Sequence, residues 1–392
     1  MVPPKKDKAD EPKQDRRAGL MERMLTENRK RFGDDGCYSA LNYGSAIYGV
    51  PAGNLALEYL LCSNVIACER IYLLSGARAS GKSTLGYELM RKTIGAYGTG
   101  TLVETENKTE KSLYESYLQD GTGFMDVHAT KTMEDAQTRI TRSLEDYPKF
   151  FPKNDCPKMI MLDSLYGNRS EETVEAIEKA GHSDRMFPKE AMMISSYFGT
   201  LGDKLIGKPI IFMATNHEKK ETEGQGYGER VRNPGGAAPD FHASYHIRVS
   251  RIENFEPFLD EQGRYTEGYM TKLHTKKCSR GSDKRTIHVP VRWHRYSVEG
   301  ADGRPRLLQR SWYDWNESLA LLLSGDELPK SLTQEIIGVT MVTKKKFNCP
   351  MLKLKEAHPS EVGAAIQSDP KMVELLRQKL GIFTDREMTG TP

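Results

Sequence analysis

The eight residues Gly76-Ala77-Arg78-Ala79-Ser80-Gly81-Lys82-Ser83 match the phosphate-loop pattern GxxxxGK[ST]. Two glycines let such a backbone curl until successive N–H groups face phosphate oxygens, and the next helix adds the positive end of its dipole. In this pattern Lys82 reaches the β- and γ-phosphates and the Ser83 hydroxyl ligates Mg²⁺. Gly76, Arg78, Ala79, Ser80, Gly81 and Thr84 complete the candidate nucleotide-binding set. Three later strand-like runs end in polar residues suited to the same chemistry. Met159-Ile160-Met161-Leu162 ends in Asp163, a candidate to hold Mg²⁺ through water. Thr101-Leu102-Val103 leads to Glu104 and Glu106, two apart and so on one face of a strand. Glu106, nearer the mouth, is the better candidate to orient or deprotonate a water. Ile210 to Thr215 ends in Asn216-His217, where a polar side chain can touch a γ-phosphate and report its loss to the segment after it.

These residues need a scaffold that brings strand ends together. The run Arg70–Ser75 reads as the strand before the loop, and Thr84 to about Ile94 as the helix after it, with Leu85, Leu89 and Met90 at helical spacing. Further strands are expected at Gly100–Glu104, Lys158–Asp163, Pro209–Asn216 and His242–Val249. Helices are expected at Lys111–Gln119, Met133–Leu144 and Pro188–Ile206. The alternation predicts an α/β core, a mostly parallel twisted sheet wrapped by helices. Two polar or Gly-rich stretches, Tyr166 to about Phe187 and Glu218 to Pro239, exceed usual connections, and such loops are normally functional or mobile.

The flanks differ in character. Residues 1–17 have no apolar anchor and are expected to be a disordered tail. Residues 18–60 hold an amphipathic helix, with Leu20, Met21, Met24 and Leu25 on its stripe and Gly33 closing it, plus a linker. That stripe packs on a neighbouring subunit, making this an oligomerisation helix, or on the chain's own core. The core spans 61–300, with β-like runs at Gly268–His274 and Arg285–Trp293. Residues 301–392 read as a small, mainly helical C-terminal domain, ending in a helix over Lys371–Leu380 with Asp369 and Pro370 before it and Gly381 after it.

Composition narrows the classes. The 392 residues, 38% hydrophobic and 28% charged, allow one large α/β domain plus a smaller one. A net charge of +3 means that any nucleic-acid binding charge must be local. No apolar run approaches the roughly 18 residues of a membrane span, and the N-terminus lacks a secretory apolar region, so a cytoplasmic protein without a membrane partner is expected. Six cysteines without a CxxC pair read as buried free thiols in a reducing compartment rather than a zinc site. His242 and His246 form an HxxxH spacing, a poor metal geometry on a strand.

In order along the chain, GARASGKS, LVETEN, MIMLDS, the strand ending Asn216-His217, and Gly235-Gly236-Ala237-Ala238-Pro239-Asp240-Phe241-His242-Ala243-Ser244 resemble the RecA-family recombinases, most closely the phage UvsX branch. The Gly-Gly…Phe-x-Ala-Ser series is the most discriminating piece, and the resemblance runs from about Leu20 to Val291. It implies a DNA-dependent ATPase with a RecA-like core, using ATP and Mg²⁺, that polymerises on single-stranded DNA and exchanges strands with a homologous duplex. Lys82, Ser83 and Asp163 would bind nucleotide and metal, Glu106 would activate water, and His217 would sense the γ-phosphate. A first DNA loop would lie within 166–187, with Met186 as an apolar wedge. A second would span about 218–236, with Lys219, Lys220, Arg230 and Arg232 on phosphates, Tyr227 on bases, and Gly235 and Gly236 closing it. Phe241 would lie where ATP sensing meets the subunit interface.

The resemblance has departures. RecA usually has glutamine where this chain has His217, and a basic residue where it has Asp240. Lys276 and Lys277 fall near the paired lysines that the bacterial family inserts into a neighbour's ATP site, but Lys277 alone lands cleanly and Thr275 holds the other position. The chain ends without an acidic tail. The implied partners are single- and double-stranded DNA, further copies of the chain, and mediator and single-strand-binding proteins, in a host's cytoplasm if the protein is phage-encoded. Two other readings fit the loop alone. A ring helicase usually lacks the Gly-Gly…Phe-x-Ala-Ser segment, and a nucleotide-gated scaffold filament would keep its function without Glu106.

Overall fold

The computed structural model describes residues 13–32, 47–106, 111–165, 167, 169–180, 187–220, 231–232, 237–259, 264–281, 284–299, 304–325, 328 and 338–388. The chain falls into two units, Met1–Ile47 and Tyr48–Pro392. In the first, helix α1 (Lys13–Phe32) ends on Arg29, Lys30 and Arg31, cations that suit the negative end of its dipole. It starts earlier than expected, so residues 13–17 are helical rather than disordered. Polar composition hid that Lys, Gln and Arg are themselves good helix formers.

The second unit opens with β1 (Tyr48–Pro51), α2 (Leu55–Leu61), β2 (Val65–Ala67) and β3 (Arg70–Gly76). Next come α3 (Lys82–Gly95), β4 (Thr99–Glu104), α4 (Lys111–Leu118), β5 (Met125–Ala129), α5 (Met133–Phe150) and β6 (Lys158–Asp163). Helices α6 (Glu171–Ala180) and α7 (Phe187–Leu205) lead to β7 (Ile210–His217), the short pair β8 (Lys219–Lys220) and β9 (Val231–Arg232), and α8 (Ala238–His242). Strands β10 (Tyr245–Asn254), β11 (Phe258–Leu259), β12 (Tyr265–Cys278), β13 (Thr286–Glu299) and β14 (Pro305–Tyr313) come after it. Helix α9 (Trp315–Ser324), β15 (Thr340–Thr343), β16 (Lys346–Cys349), β17 (Leu354–Ala357), α10 (Pro359–Gln367), α11 (Pro370–Lys379) and β18 (Arg386–Glu387) complete it.

The main sheet runs β14-β13-β12-β10-β3-β7-β6-β4-β5, with β11 pairing β12 off that path. From β10 to β5 every neighbouring pair is parallel. From β10 to β14 every pair is antiparallel. Parallel strands covered on both faces need unbroken apolar runs, and β6 and β7 have them: Met159 to Leu162 and Ile210 to Asn216 are all buried. On one face, Ile140 and Leu144 of α5 and Ile194, Phe198 and Leu201 of α7 pack on Ile71, Val103, Ile160 and Phe212 of the sheet. The chain enters β3 in mid-sheet and crosses to β4 and β5 at one edge. It then returns through β6 and β7, which leaves a crevice at the strand ends beside β3.

Beyond residue 300 the structure differs from the expectation. Pro305–Tyr313 is a strand of the main sheet, and β15, β16 and β17 form a small antiparallel sheet among α9, α10 and α11, so the segment is mixed rather than mainly helical. Two adjacent leucines and two arginines in Pro305–Tyr313 break the period-two pattern, and Leu307 on this edge strand is largely exposed. The last long helix has the expected caps: the Asp369 side chain accepts from the Lys371 and Met372 N–H groups at 3.0 and 3.2 Å, and Gly381 has φ 61°. β18 pairs in parallel with β1, and Arg377 holds the buried Glu58 carboxylate through two hydrogen bonds of 2.7 and 2.9 Å. Cys62, Cys68, Cys278 and Cys349 are buried and Cys156 is half-buried, none of them in a disulfide; Cys37 lies outside the described residues. Among the described residues, no helix is long and apolar enough to cross a membrane.

Candidate nucleotide site

Strand β3 delivers the loop 76–83 to the crevice, and α3 begins at Lys82. Gly81 holds φ 98°, a backbone that a side chain strains, and a Cβ at Gly76 would meet Val249 O at 2.2 Å and Ser80 Oγ at 2.7 Å. The glycines therefore keep open a concave backbone. Lys82 is 5% exposed, and its ammonium donates to the loop's own carbonyls, Gly76 O at 3.1 Å and Ala77 O at 2.7 Å. Burial pulls the Lys82 ammonium below the ordinary lysine range, against the pull of Asp163, Glu106 and Glu218. Ser80 Oγ is buried without a hydrogen-bond partner among the described residues.

Across the loop lie the ends of β6, β4 and β7. Burial pushes the Asp163 carboxyl above the usual carboxylate range, although the Ser83 and Thr215 hydroxyls donate to it, Thr215 Oγ1 at 2.5 Å. The Asp163 carboxyl next to the Ser83 hydroxyl, with the unsatisfied Ser80 Oγ in the same loop, is a donor set that fits a nucleotide with its divalent cation. β4 stops at Glu104, which is buried, so Glu106 lies past the strand rather than on its face. Glu106 Oε1 accepts from Ser164 Oγ at 2.9 Å and from His217 Nε2 at 2.9 Å. An ionised carboxylate has only acceptors, so His217 presents its Nε2–H here. The predicted catalytic carboxylate and the predicted sensor thus touch.

Sequence reasoning missed Glu218, which ties β3, β10 and β12 together. Its N–H donates to Gly76 O at 3.0 Å, and its carboxylate accepts from Ser75 Oγ, Arg248 Nε and Lys276 Nζ at 3.1, 2.9 and 3.0 Å. Burial pushes that carboxyl up, but Lys276 and Arg248 outweigh it and hold it below the usual range. No local motif marks such a residue, because its partners come from three strands. A cleft of about 490 Å³ flanks it, lined by Ala77, Arg78, Ser80, Arg248 and Arg251 among others. On the α3 side Thr84 Oγ1 donates to Gly81 O at 2.6 Å and lies 3.4 and 3.2 Å from the Tyr269 and Tyr313 hydroxyls.

The other expected residues are spread more widely. Lys277 Nζ donates to Asp240 O and Phe241 O at 3.1 and 2.6 Å, so both Lys276 and Lys277 have partners in their own chain. Phe241 is 76% exposed. Lys219 and Arg232 are register partners in the β8–β9 pair. Met186, Tyr227, Arg230, Gly235 and Gly236 lie outside the described residues. Part of the first long stretch is helix α6 rather than loop. His246 lies 2.7 Å from Ser75 Oγ and 3.1 Å from Asp240 Oδ1.

No family model matches the chain. It is similar to the plasmid RecA protein of Lactococcus lactis subsp. lactis, 23% identical over 271 residues that cover 69% of this chain and 72% of that protein. This likeness supports a RecA-family relationship. The large, mostly parallel sheet of this chain is consistent with a RecA-like core.

Proposed function

We propose that the chain is an ATP-hydrolysing recombinase that assembles on single-stranded DNA and exchanges strands with a homologous duplex. The observation that carries this reading is the contact of Glu106 with His217 and Ser164, because it joins a candidate catalytic carboxylate to the strand that opens into residues 218–236. The likeness to a RecA protein supports it.

On this reading Lys82 leaves the carbonyls of Gly76 and Ala77 for the β- and γ-phosphate oxygens, and Gly76, Arg78, Ala79, Ser80, Gly81 and Thr84 surround the triphosphate. Ser83 and Asp163 hold Mg²⁺, which supplies charge neutralisation on the phosphates when bound. Glu106 orients the attacking water and accepts its proton, while the His217 N–H fixes the carboxylate. When the γ-phosphate leaves, His217 transmits the change to Glu218 and the segment beyond it. Lys219, Lys220, Arg230 and Arg232 contact DNA phosphates there, with Tyr227 on the bases and Met186 on the first loop. Lys276 and Lys277 reach a neighbour's site after release from Glu218 and from the Asp240 and Phe241 carbonyls. The phage UvsX branch, mediator and single-strand-binding partners and a host's cytoplasm belong to the same reading.

The test is ATP turnover with and without single-stranded DNA, together with exchange between a circular single strand and a homologous linear duplex. DNA is expected to raise turnover, and Lys82→Ala to abolish both activities. Equal turnover with and without DNA would sink the reading.

A further inference from the structure

We propose that Thr105 is a positioning residue for hydrolysis: its buried hydroxyl sets the Ser164 backbone, and Ser164 in turn sets Glu106. Strands β4 and β6 pair in parallel as far as Glu104 and Asp163, and one further backbone bond follows, from the Thr105 N–H to Asp163 O at 2.9 Å. There a side chain takes over from the main chain. Thr105 Oγ1 accepts from the Ser164 N–H at 2.8 Å and donates to Ser164 O at 2.8 Å. A hydroxyl can do both because it carries one proton and two lone pairs. Past β4 the chain bends at Thr105 and Glu106, and Ser164 Oγ donates to Glu106 Oε1 at 2.9 Å. His217 Nε2 meets the same carboxylate oxygen at 2.9 Å.

The contact is closed to water. Thr105 and Ser164 are both buried, and Gly167 lies over them. The Gly167 N–H donates to Ser164 O at 3.3 Å, and a Cβ at that position would fall 1.9 Å from Thr105 Oγ1 and 2.9 Å from Glu106 Cγ. Only a glycine lets the chain approach this closely. Loss of the hydroxyl takes the acceptor from the Ser164 N–H in a place that water does not reach, so the Ser164 backbone must shift to satisfy it. A shift of about 1 Å at a reacting group can cost on the order of 10²-fold in rate. The Thr105 hydroxyl is aimed at the Ser164 backbone, so its influence on hydrolysis passes through Ser164.

The effect on turnover rests on the function proposed above, whereas the effect on geometry does not, and the test reads both. Thr105→Val removes the hydroxyl at nearly constant volume, and Thr105→Ser keeps it. On the full-length chain with single-stranded DNA, Thr105→Val should lower kcat for ATP about 10–100-fold with KM within about twofold, while Thr105→Ser stays within about threefold of the parent. Ser164→Ala should lose as much, and adding Thr105→Val to it should cost little more, because both act along one path. Independently of turnover, the His217 ring signals in carbon–proton NMR spectra should move in Thr105→Val and Ser164→Ala and hold in Thr105→Ser. Thermal melts report folding; where Thr105→Val does not fold, Thr105→Ala takes its place with the same expected outcomes. Ring signals that hold in Thr105→Val, or losses that simply multiply in the double variant, overturn the inference. So does a Thr105→Ser as impaired as Thr105→Val, since that pattern belongs to methyl packing. A parent chain that hydrolyses no ATP sinks the proposed function instead, and the ring signals then decide the inference alone.

Discussion

Strand β7 buries seven of its eight residues, whereas β12 mixes buried, half-exposed and exposed positions along fourteen, alternating from Tyr269 to Thr275. The two strands sit in the same sheet on opposite sides of β3, and they answer to different demands. β4, β6 and β7 are short, apolar and parallel, and each releases a polar residue at one common edge: Glu106 just past β4, Asp163 and His217. The antiparallel strands are longer and carry side chains in along the flank: Arg248, Tyr269, Lys276 and Tyr313. The parallel half therefore presents the candidate site residues, and the antiparallel half holds their neighbours in place.

That division can be broken by substitution. The largest effect belongs to Glu106→Gln, which should lower turnover about 10²–10⁴-fold while changing stability by less than about 0.5 kcal/mol. Single-turnover hydrolysis and a thermal melt on the same sample read both numbers, and a turnover within about threefold of the parent would dissolve the contrast. On the antiparallel side, Arg292 of β13 is hydrogen-bonded to Glu317 of α9, both mostly buried. Glu317→Ala leaves that guanidinium only its longer 3.7 Å pairing with Asp314 and should cost about 2 kcal/mol in denaturant unfolding, with nucleotide affinity unchanged. A loss of affinity matching the loss of stability would show that the halves are not separable.

Glu218 bridges the two, so its removal sharpens the comparison. Glu218→Gln should cost about 1–2 kcal/mol near neutral pH, since Arg248 and Lys276 lose their anion. Its carboxyl is held below the usual range in the folded state, so this stability is present above the unfolded value and is lost as pH falls through the folded one. Urea midpoints of parent and variant should converge in acid, and a gap that stays constant would contradict the ion-pair account. The smallest effect is expected at the cap of α11, where Asp369→Ala should cost about 1 kcal/mol and leave turnover alone.

The same division decided what the sequence disclosed. Lys158–Asp163 is the strand expected from its apolar run, because burial on both faces writes one unbroken signal. Met125–Ala129 went unseen: on the sheet edge its residues are exposed or half-exposed, and Asp126 and His128 dilute the pattern. Pro305–Tyr313 was assigned beyond the core for a similar reason. That Lys82, Asp163 and Glu106 come together in one crevice was legible, because motif spacing and strand ends place them. Glu218 was not, since its role comes from Ser75, Arg248 and Lys276, which are brought together only in three dimensions.

The register of Tyr48 with Arg386, and the bond from the Met388 N–H to Gly49 O, has a consequence for biosynthesis. A ribosome conceals the newest stretch of a nascent polypeptide inside its exit tunnel. The earliest strand of the large unit must therefore wait, unzipped on one side, until residues 386–388 have emerged. A premature stop codon ahead of Arg386 would leave that flank open, and proteases would meet it first.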